Sequence, residues 1–310
     1  MSLVDIHDIQ RHYGAIHALR GVTLRLEPGT IGLVGNNGAG KSTLMKILLG
    51  LLRPDSGGGT ILGCDLKDSA GNLRGRVGYM TEAAGTVPIL KGVEFVTLSG
   101  DLYGMPHREA QRRAHEVLYY CGLGELRYRR LEEYSAGNLQ RLKLAAALVH
   151  DPELLLLDEP TAGLDPAGRS AFLRLLEDLI AETNKSILLS THLLGDIERL
   201  CAQVVVLHRG QVVRSGSMDE LRQIIDNRYE LRWQGANAPF LAALRAAGVE
   251  IADSTQAGRG IATVPPQWST AQFFRLAQES GVVLTALKAE EEDLERMFFR
   301  MTEAATAHGG

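Results

Sequence analysis

The stretch GNNGAGKS, residues 35–42, decides the fold of this chain. Gly35 and Gly40, with four residues between them and followed by a lysine and a hydroxyl, form the pattern of a loop that wraps phosphate groups. An apolar run, Thr30 to Gly35, precedes the loop, and a helical pattern from Lys41 to Leu49 follows it. Glycines let backbone N–H groups approach the phosphates, and the helix start adds the positive end of its dipole. The order strand, loop, helix therefore predicts a phosphate-binding loop in an α/β fold.

The loop residues have distinct expected roles. Lys41 should hold the β- and γ-phosphates of a nucleotide, and Ser42 should hold a magnesium ion. The candidate nucleotide-binding residues in and next to the loop are Gly35, Asn36, Asn37, Gly38, Ala39, Gly40, Lys41, Ser42 and Thr43. The loop alone leaves the class of nucleotidase open.

A second motif, LLLLDEP at residues 154–160, is an apolar strand that ends in two carboxylates. This arrangement predicts that Asp158 positions magnesium and that Glu159 polarises a water molecule against the γ-phosphate. The alternative is a core strand capped by solvated acids.

A third motif, YSAGNLQRL at residues 134–142, stands between the first two. Here the chain resembles the ATP-binding cassette (ABC) family, whose signature is a Ser-x-Gly motif that opens a helix. The resemblance implies that the residues Ser135, Ala136, Gly137 and Asn138 meet the γ-phosphate bound by the other subunit of a pair. It also implies ATP and Mg²⁺ as cofactors and ATP hydrolysis as the activity.

Further matches follow the order of the family's motifs. Tyr13, in RHYG, resembles the aromatic residue that stacks on adenine. Asp165, in AGLDP, resembles the loop that crosses the dimer interface, and His192, in STH, resembles the switch histidine that helps Glu159 to orient water. The resemblance covers roughly residues 2–220 and implies a head-to-tail homodimer with two sandwiched nucleotides.

Two departures from the family pattern bear on activity. Glu82 stands where the family often has a glutamine that meets magnesium, and a carboxylate can accept hydrogen bonds but cannot donate them. Ala136 and Asn138 replace the commoner glycine and glutamine of the signature. We interpret both as variants of an active site, with an inactive, purely structural cassette as the alternative.

Composition limits the possible partners. The chain has 310 residues, a formal net charge of −4 and a pI near 6.2, which does not suggest nucleic-acid binding. Its three cysteines lie far apart, so neither a disulfide framework nor a zinc site is expected. The first residues do not resemble a secretory signal, and no segment approaches the ~20 apolar residues of a membrane-spanning helix. The resemblance to the ABC family implies a protein at the cytoplasmic face of a membrane, held there by a permease, and these observations are compatible with that location.

The order of predicted elements gives the fold class. Strands alternate with helices up to about residue 221, which indicates a P-loop NTPase-type parallel sheet core, with a helical insertion subdomain at about residues 93–150. Residues 222–303 follow the order β-α-β-β-α-β of a small α+β ferredoxin-like domain. That range ends in a predicted amphipathic helix from Glu290 to Met301, and residues 304–310 should be a flexible tail.

The leading functional hypothesis is the ATP-hydrolysing subunit of an exporter that resembles the ABC-2 class and drives a separate multi-helix membrane permease. The alternatives are an importer ATPase of the same family and a non-transport ABC ATPase that acts in translation or DNA repair. The last usually brings two cassettes, a long coiled coil or zinc cysteines, none of which this sequence contains.

Overall fold

A computed structural model describes residues 2–66, 73–82, 85–220, 227–235, 237–253 and 258–289. The chain divides into two compact units, of which the first contains Met1–Ser217 and the second is Met218–Met301. The terminal helix and the tail predicted after residue 289 lie outside the described residues.

The first unit contains ten strands and six α-helices among its described residues. The strands are β1 (Val4–Tyr13), β2 (Ile16–Leu26), β3 (Thr30–Val34), β4 (Ser56–Ile61), β5 (Cys64–Asp65), β6 (Val77–Met80), β7 (Leu154–Asp158), β8 (Ser186–Thr191), β9 (Gln203–His208) and β10 (Gln211–Ser217). The helices are α1 (Lys41–Leu48), α2 (Gly92–Leu102), α3 (His107–Tyr120), α4 (Ala136–Leu148), α5 (Pro166–Glu182) and α6 (Leu194–Leu200).

The main sheet has six strands in the order β10-β9-β3-β8-β7-β6. All neighbours are parallel except β10, which pairs antiparallel with β9. Strands β3, β7 and β8 are buried along their whole length, as expected for apolar runs covered on both faces. The predicted parallel core is confirmed, and its geometry brings the carboxyl ends of β3, β7 and β8 to one edge.

A second, antiparallel sheet has the strand order β2-β1-β4-β5. It contains the long β1–β2 hairpin and strand β4, which has three glycines in six residues. The glycines in β4 are needed because it runs very close to β1: a Cβ at Gly59 would lie 2.2 Å from the Asp5 carbonyl oxygen. Glycine therefore marks close backbone approach at this strand and not a turn.

Three helices of the first unit lie within the range predicted as a helical insertion, namely α2, α3 and α4. Two short 3₁₀ turns, Glu125–Tyr128 and Leu131–Glu133, join α3 to α4. The inward faces of α3 and α4 are apolar, with Leu118 and Leu142 fully buried. In the described parts of the chain, no helix combines the length and the apolar character that crossing a bilayer requires.

The second unit has the predicted β-α-β-β-α-β order. Its elements are β11 (Arg228–Gln234), α7 (Asn237–Ala246), β12 (Glu250–Asp253), β13 (Arg259–Thr263), α8 (Thr270–Glu279) and β14 (Val283–Ala289). The strands form an antiparallel sheet in the order β12-β13-β11-β14. Its core centres on Trp233, Phe240 and Phe273. The rings of Trp233 and Phe240 meet edge-on, and Phe273 meets Tyr229 edge-on and Trp268 at a tilted angle. The ferredoxin-like prediction is confirmed.

Candidate nucleotide-binding site

The phosphate-loop motif connects β3 to α1, as the sequence predicted. Gly40 precedes the helix with a φ of 105°, a conformation that glycine adopts without strain. Lys41 is the first residue of α1 and is only 7% exposed. Its Nζ donates a hydrogen bond of 2.5 Å to the backbone carbonyl of Gly35, so the lysine folds back across its own loop.

A cavity of about 680 Å³ opens over this loop and is lined by Asn36, Asn37, Gly38, Ala39, Gly40, Lys41, Ser42 and Thr43. At Gly38 an added Cβ would meet no atom within 4 Å, so the loop faces open space there. Backbone N–H groups, the helix start and a buried ammonium therefore converge on a space large enough for a nucleotide. These residues fit an ATP phosphate chain.

Glu159 lies at the carboxyl end of β7 and faces the same cavity. Its φ is 46°, a left-handed conformation that is uncommon for a residue other than glycine. The backbone is held there because the Glu159 N–H donates to the Ser190 carbonyl and the Glu159 carbonyl accepts from Ala162. A strained backbone fixed by neighbouring elements is typical of a functional position.

The Glu159 carboxylate joins two other predicted site residues. One oxygen lies 3.5 Å from Lys41 Nζ, and the other lies 3.0 Å from His192 Nδ1. Lys41 and Glu159 are almost completely buried, whereas the His192 side chain is 53% exposed. A carboxylate between a lysine and a histidine can polarise a water molecule once a phosphate group draws the lysine away.

Asp158, the residue before Glu159, is buried. Its carboxylate accepts a hydrogen bond of 2.8 Å from Ser190 Oγ. Burial, with the negative charge of Asp158 beside it, raises the pKa of the Tyr79 hydroxyl. Within the described residues no cluster of three or more His, Cys, Asp or Glu side chains could hold a metal ion. The predicted magnesium residues are Ser42, Glu82 and Asp158. With water and the phosphates of the nucleotide they would offer hard oxygen donors, which suit this ion.

Glu82 also lines the cavity, so its extra negative charge does face the expected phosphates. Lys143 lies beside it on α4 and donates to the backbone carbonyls of Thr81 and Glu82, at 3.2 and 3.1 Å. Burial lowers the pKa of Lys143, and the Glu82 carboxylate opposes that shift. Lys143 thus offsets part of the charge that the departure from the family pattern introduces.

Tyr13 stands at the end of the β1–β2 hairpin, is 44% exposed and lines the cavity. The Arg11 guanidinium carbon lies 5.2 Å from the centre of the Tyr13 ring. Asp55 in turn bonds Arg11 Nη1 at 2.7 Å and the His12 backbone N–H at 2.6 Å. The hairpin that carries the candidate adenine-stacking ring is therefore fastened to the loop before β4.

Sequence reasoning missed several residues of the cavity wall. These are Ile16, His17, Ala18 and Arg20 on β2, Ala162 after β7, and Arg209 between β9 and β10. His17 stacks on His12 with ring centres 3.8 Å apart, and burial lowers its pKa. Ala162 begins the AGLDP motif and lies three residues after Glu159, whereas no motif marks the residues on β2 or Arg209, which strand pairing brings to the cavity.

The signature residues lie away from this cavity. Ser135 caps α4 by accepting a hydrogen bond from the Asn138 N–H, and Ser135 and Ala136 are exposed. An added Cβ at Gly137 would meet only Leu164, at 3.9 Å. Asp165, predicted in an interface loop, caps α5 by accepting from the Gly168 N–H. None of the four signature residues lines the cavity of its own chain.

Three comparisons with known proteins agree with this geometry. A family model described as ABC transporter matches residues 19–162. The linearmycin resistance ATP-binding protein LnrL of Bacillus subtilis is 30% identical over 307 residues, covering 97% of this chain and 98% of that protein. The daunorubicin resistance ATP-binding protein DrrA3 of Streptomyces coeruleorubidus is 32% identical over 305 residues, covering 97% and 96%.

A solved structure carries the same fold. It is a dimeric ATP-binding cassette in a post-hydrolysis state with ADP and Pi, 25% identical to this chain, with a TM-score of 0.63. The match covers 69% of this chain and 98% of the solved one. With two relatives aligned over nearly their whole lengths and a phosphate loop built for ATP, the chain belongs to the ABC transporter family as an ATP-binding subunit with ATPase activity.

Proposed function

We propose that this chain is the motor subunit of an exporter, in which two copies pair head to tail around two Mg-ATP and drive a separate membrane permease. The observation that carries the proposal is the separation of the two halves of the site. The phosphate loop, Glu159 and His192 line one cavity, and Ser135 stands outside it on an exposed helix start. A second copy would supply the missing half.

The proposed catalytic step relies on positioning and electrostatics. Lys41 would leave the Gly35 carbonyl and Glu159 to hold the β- and γ-phosphates. Glu159 would then be free to accept a proton from the attacking water, with His192 holding the carboxylate in place through its 3.0 Å contact. Magnesium, when bound near Ser42 and Asp158, supplies charge neutralisation at the phosphate oxygens.

The partner subunit adds the last contribution. The start of α4 at Ser135 offers a hydroxyl and unpaired backbone N–H groups, which suit the γ-phosphate of a nucleotide held by the other copy. ATP would therefore close the pair, and loss of the γ-phosphate would reopen it. A dimeric relative with ADP and Pi supports this arrangement.

The proposed permease contact lies on the helical segment behind Glu82. Four apolar side chains of this segment are exposed, with Ile89 at 70% and Leu102 at 81%; the other two are Val87 and Leu98. A groove of about 330 Å³ in the same segment includes Leu98 and the acidic residues Glu94 and Asp101. Exposed apolar side chains with a polar rim suit a protein partner. A permease bound at this segment would hold the chain at the cytoplasmic face of the membrane, which is the proposed location.

Export is the proposed direction because two relatives matched over nearly their whole lengths are named for resistance to linearmycin and to daunorubicin. The test is to trap a Glu159→Gln variant with ATP in its native membranes, purify it gently and identify the bound proteins by mass spectrometry. Recovery of a multi-helix membrane protein supports the proposal. Recovery of a substrate-binding protein with the permease would indicate an importer, and recovery only with ribosomes or nucleic acid would refute the transporter role.

A further inference from the structure

The turn between β9 and β10 has an unusual residue at its first position. His208 pairs with Gln211 in the antiparallel ladder, so the turn consists of Arg209 and Gly210 alone. Both residues have positive φ, 46° and 79°. Two such residues define the turn type that favours Asn-Gly or Asp-Gly, because asparagine and aspartate tolerate positive φ better than other side chains do. Arginine is therefore a poor choice for the turn itself.

Nothing in the described part of the chain explains the arginine by local bonding. Its side chain is exposed and has no hydrogen bond or ion pair with another described residue. The neighbouring cation Arg20, in contrast, donates from Nε to the His17 carbonyl. Arg209 thus keeps an uncommon backbone conformation without any contact that compensates for it, and such strain is often linked to binding.

The turn is bonded to two residues of the cavity wall, Ala39 and Arg20. Its Gly210 N–H donates to the carbonyl of Ala39 in the phosphate loop, at 2.9 Å. The Gly210 carbonyl accepts from the Arg20 N–H on β2, the strand that leads back to the Tyr13 hairpin, at 2.8 Å. A Cβ at Gly210 would lie 2.6 Å from the Ala18 carbonyl oxygen, so the approach to β2 leaves no room for a larger residue.

These two hydrogen bonds tie the turn that carries Arg209 to the phosphate loop on one side and to β2 on the other. Arg209 lines the same cavity as Tyr13 and Lys41. The part of a nucleotide that joins a base near Tyr13 to phosphates near Lys41 is the ribose with the α-phosphate. Of these, only the α-phosphate is anionic, and guanidinium groups bind phosphate oxygens through charge-assisted hydrogen bonds.

We propose that Arg209 is an additional nucleotide-binding residue that holds the α-phosphate, which ATP and ADP share. The proposal rests on the proposed nucleotide site around Lys41. Since the contact involves no γ-phosphate oxygen, Arg209 contributes to the binding of ATP and ADP equally. It acts on affinity and not on the hydrolytic step.

The test uses Arg209→Asn, because asparagine suits the turn while it removes the guanidinium. Affinities for ADP and for a non-hydrolysable ATP analogue are measured by calorimetry, together with the thermal unfolding of the nucleotide-free protein. We expect both nucleotides to bind about tenfold more weakly, equivalent to about 1.4 kcal/mol. The KM for ATP should rise while kcat stays unchanged, and the nucleotide-free protein should unfold at the same temperature or higher.

Two controls separate the possible causes. Arg214→Asn removes an exposed arginine from the same hairpin but outside the cavity wall, and it should leave both affinities unchanged. Lys41→Ala tests the underlying site, since it should abolish tight binding of both nucleotides. If Lys41→Ala binds nucleotide normally, the proposed site itself is wrong and the role of Arg209 falls with it.

Three results would overturn the role of Arg209 while the site stands. The first is an Arg209→Asn affinity within twofold of the Arg214→Asn affinity. The second is a loss confined to the ATP analogue, which would move the contact to the γ-phosphate. The third is a lowered unfolding temperature without nucleotide, which would make the arginine a structural residue of the turn.

Discussion

The Glu159→Gln substitution tests the proposed chemistry most directly. It replaces the carboxylate that lies 3.0 Å from His192 Nδ1 by a neutral amide of nearly the same shape. A general base contributes roughly 10²- to 10⁴-fold to a reaction rate. We therefore expect kcat for ATP hydrolysis to fall by about two to four orders of magnitude, a rise of about 3–5 kcal/mol in the barrier.

The same substitution should not weaken ATP binding. Without nucleotide, the Glu159 carboxylate lies 3.5 Å from Lys41 Nζ, and both groups are buried. At an effective dielectric constant of about 20, two charges at this distance attract each other by roughly 5 kcal/mol before desolvation is counted. The desolvation cost reduces the net value strongly. Because ATP has to draw Lys41 away from this partner, removing the charge should leave ATP affinity equal or higher.

The assay is phosphate release under saturating Mg-ATP, combined with calorimetric titration of a non-hydrolysable ATP analogue. Glu153→Gln is the matched control, since Glu153 precedes the same strand at its other end and holds only an exposed ion pair with Arg76. It should retain wild-type turnover. A Glu159→Gln protein with near wild-type turnover would show that another group activates the water. A tenfold loss of affinity would refute the competition between Glu159 and the phosphates for Lys41.

Three further predictions concern pairing, the base end of the site and pH. Gly137→Glu should fold normally, because an added Cβ meets only Leu164, at 3.9 Å. In the Glu159→Gln background this variant should show no ATP-induced dimer in size-exclusion chromatography. A dimer of normal stability would refute the role of the signature. Asp55→Asn should raise the nucleotide dissociation constant about threefold, which corresponds to the free energy typical of an exposed ion pair. The substitution weakens the 2.7 Å ion pair that holds Arg11 against the Tyr13 ring. An unchanged dissociation constant in a fluorescence titration would show that Tyr13 needs no such support. Burial lowers the pKa of His150 to about 4, so the unfolded chain takes up the proton first as pH falls below the ordinary value near 6.5. Stability should therefore decrease between pH 6.5 and pH 4, by about 2 kcal/mol at pH 5 relative to His150→Gln in urea unfolding. Parallel pH profiles of the two proteins would contradict this.

The elements that sequence reasoning located well are those with strong local signals. The phosphate loop has two glycines, a lysine and a hydroxyl at fixed spacing, and β7 has four consecutive leucines before its carboxylates. Binding of phosphate and magnesium requires these residue types at these spacings, whatever the rest of the chain does. The order of strands and helices in the second unit also followed from periodicity.

The elements that sequence reasoning located poorly depend on pairing with strands that are distant in the chain. Strand β4 contains three glycines in six residues and looks like a turn until β1 lies beside it. Strand β10 and the turn at Arg209 carry no motif, although hydrogen bonds to Ala39 and Arg20 make the turn part of the site. Pairings of this kind are set by the whole sheet and leave no periodic trace in a short window.

The sequence by itself determined the class of chemistry, because the residues that meet phosphate, magnesium and water must be of particular types at particular spacings. Tertiary structure decided which of them meet. The parallel sheet brought the ends of β3, β7 and β8 to one edge, and so joined Lys41, Glu159 and His192 across more than a hundred residues of chain. It also left Ser135 outside that group. The physical reason is that carboxyl ends of neighbouring parallel strands converge wherever the strands occur in the chain.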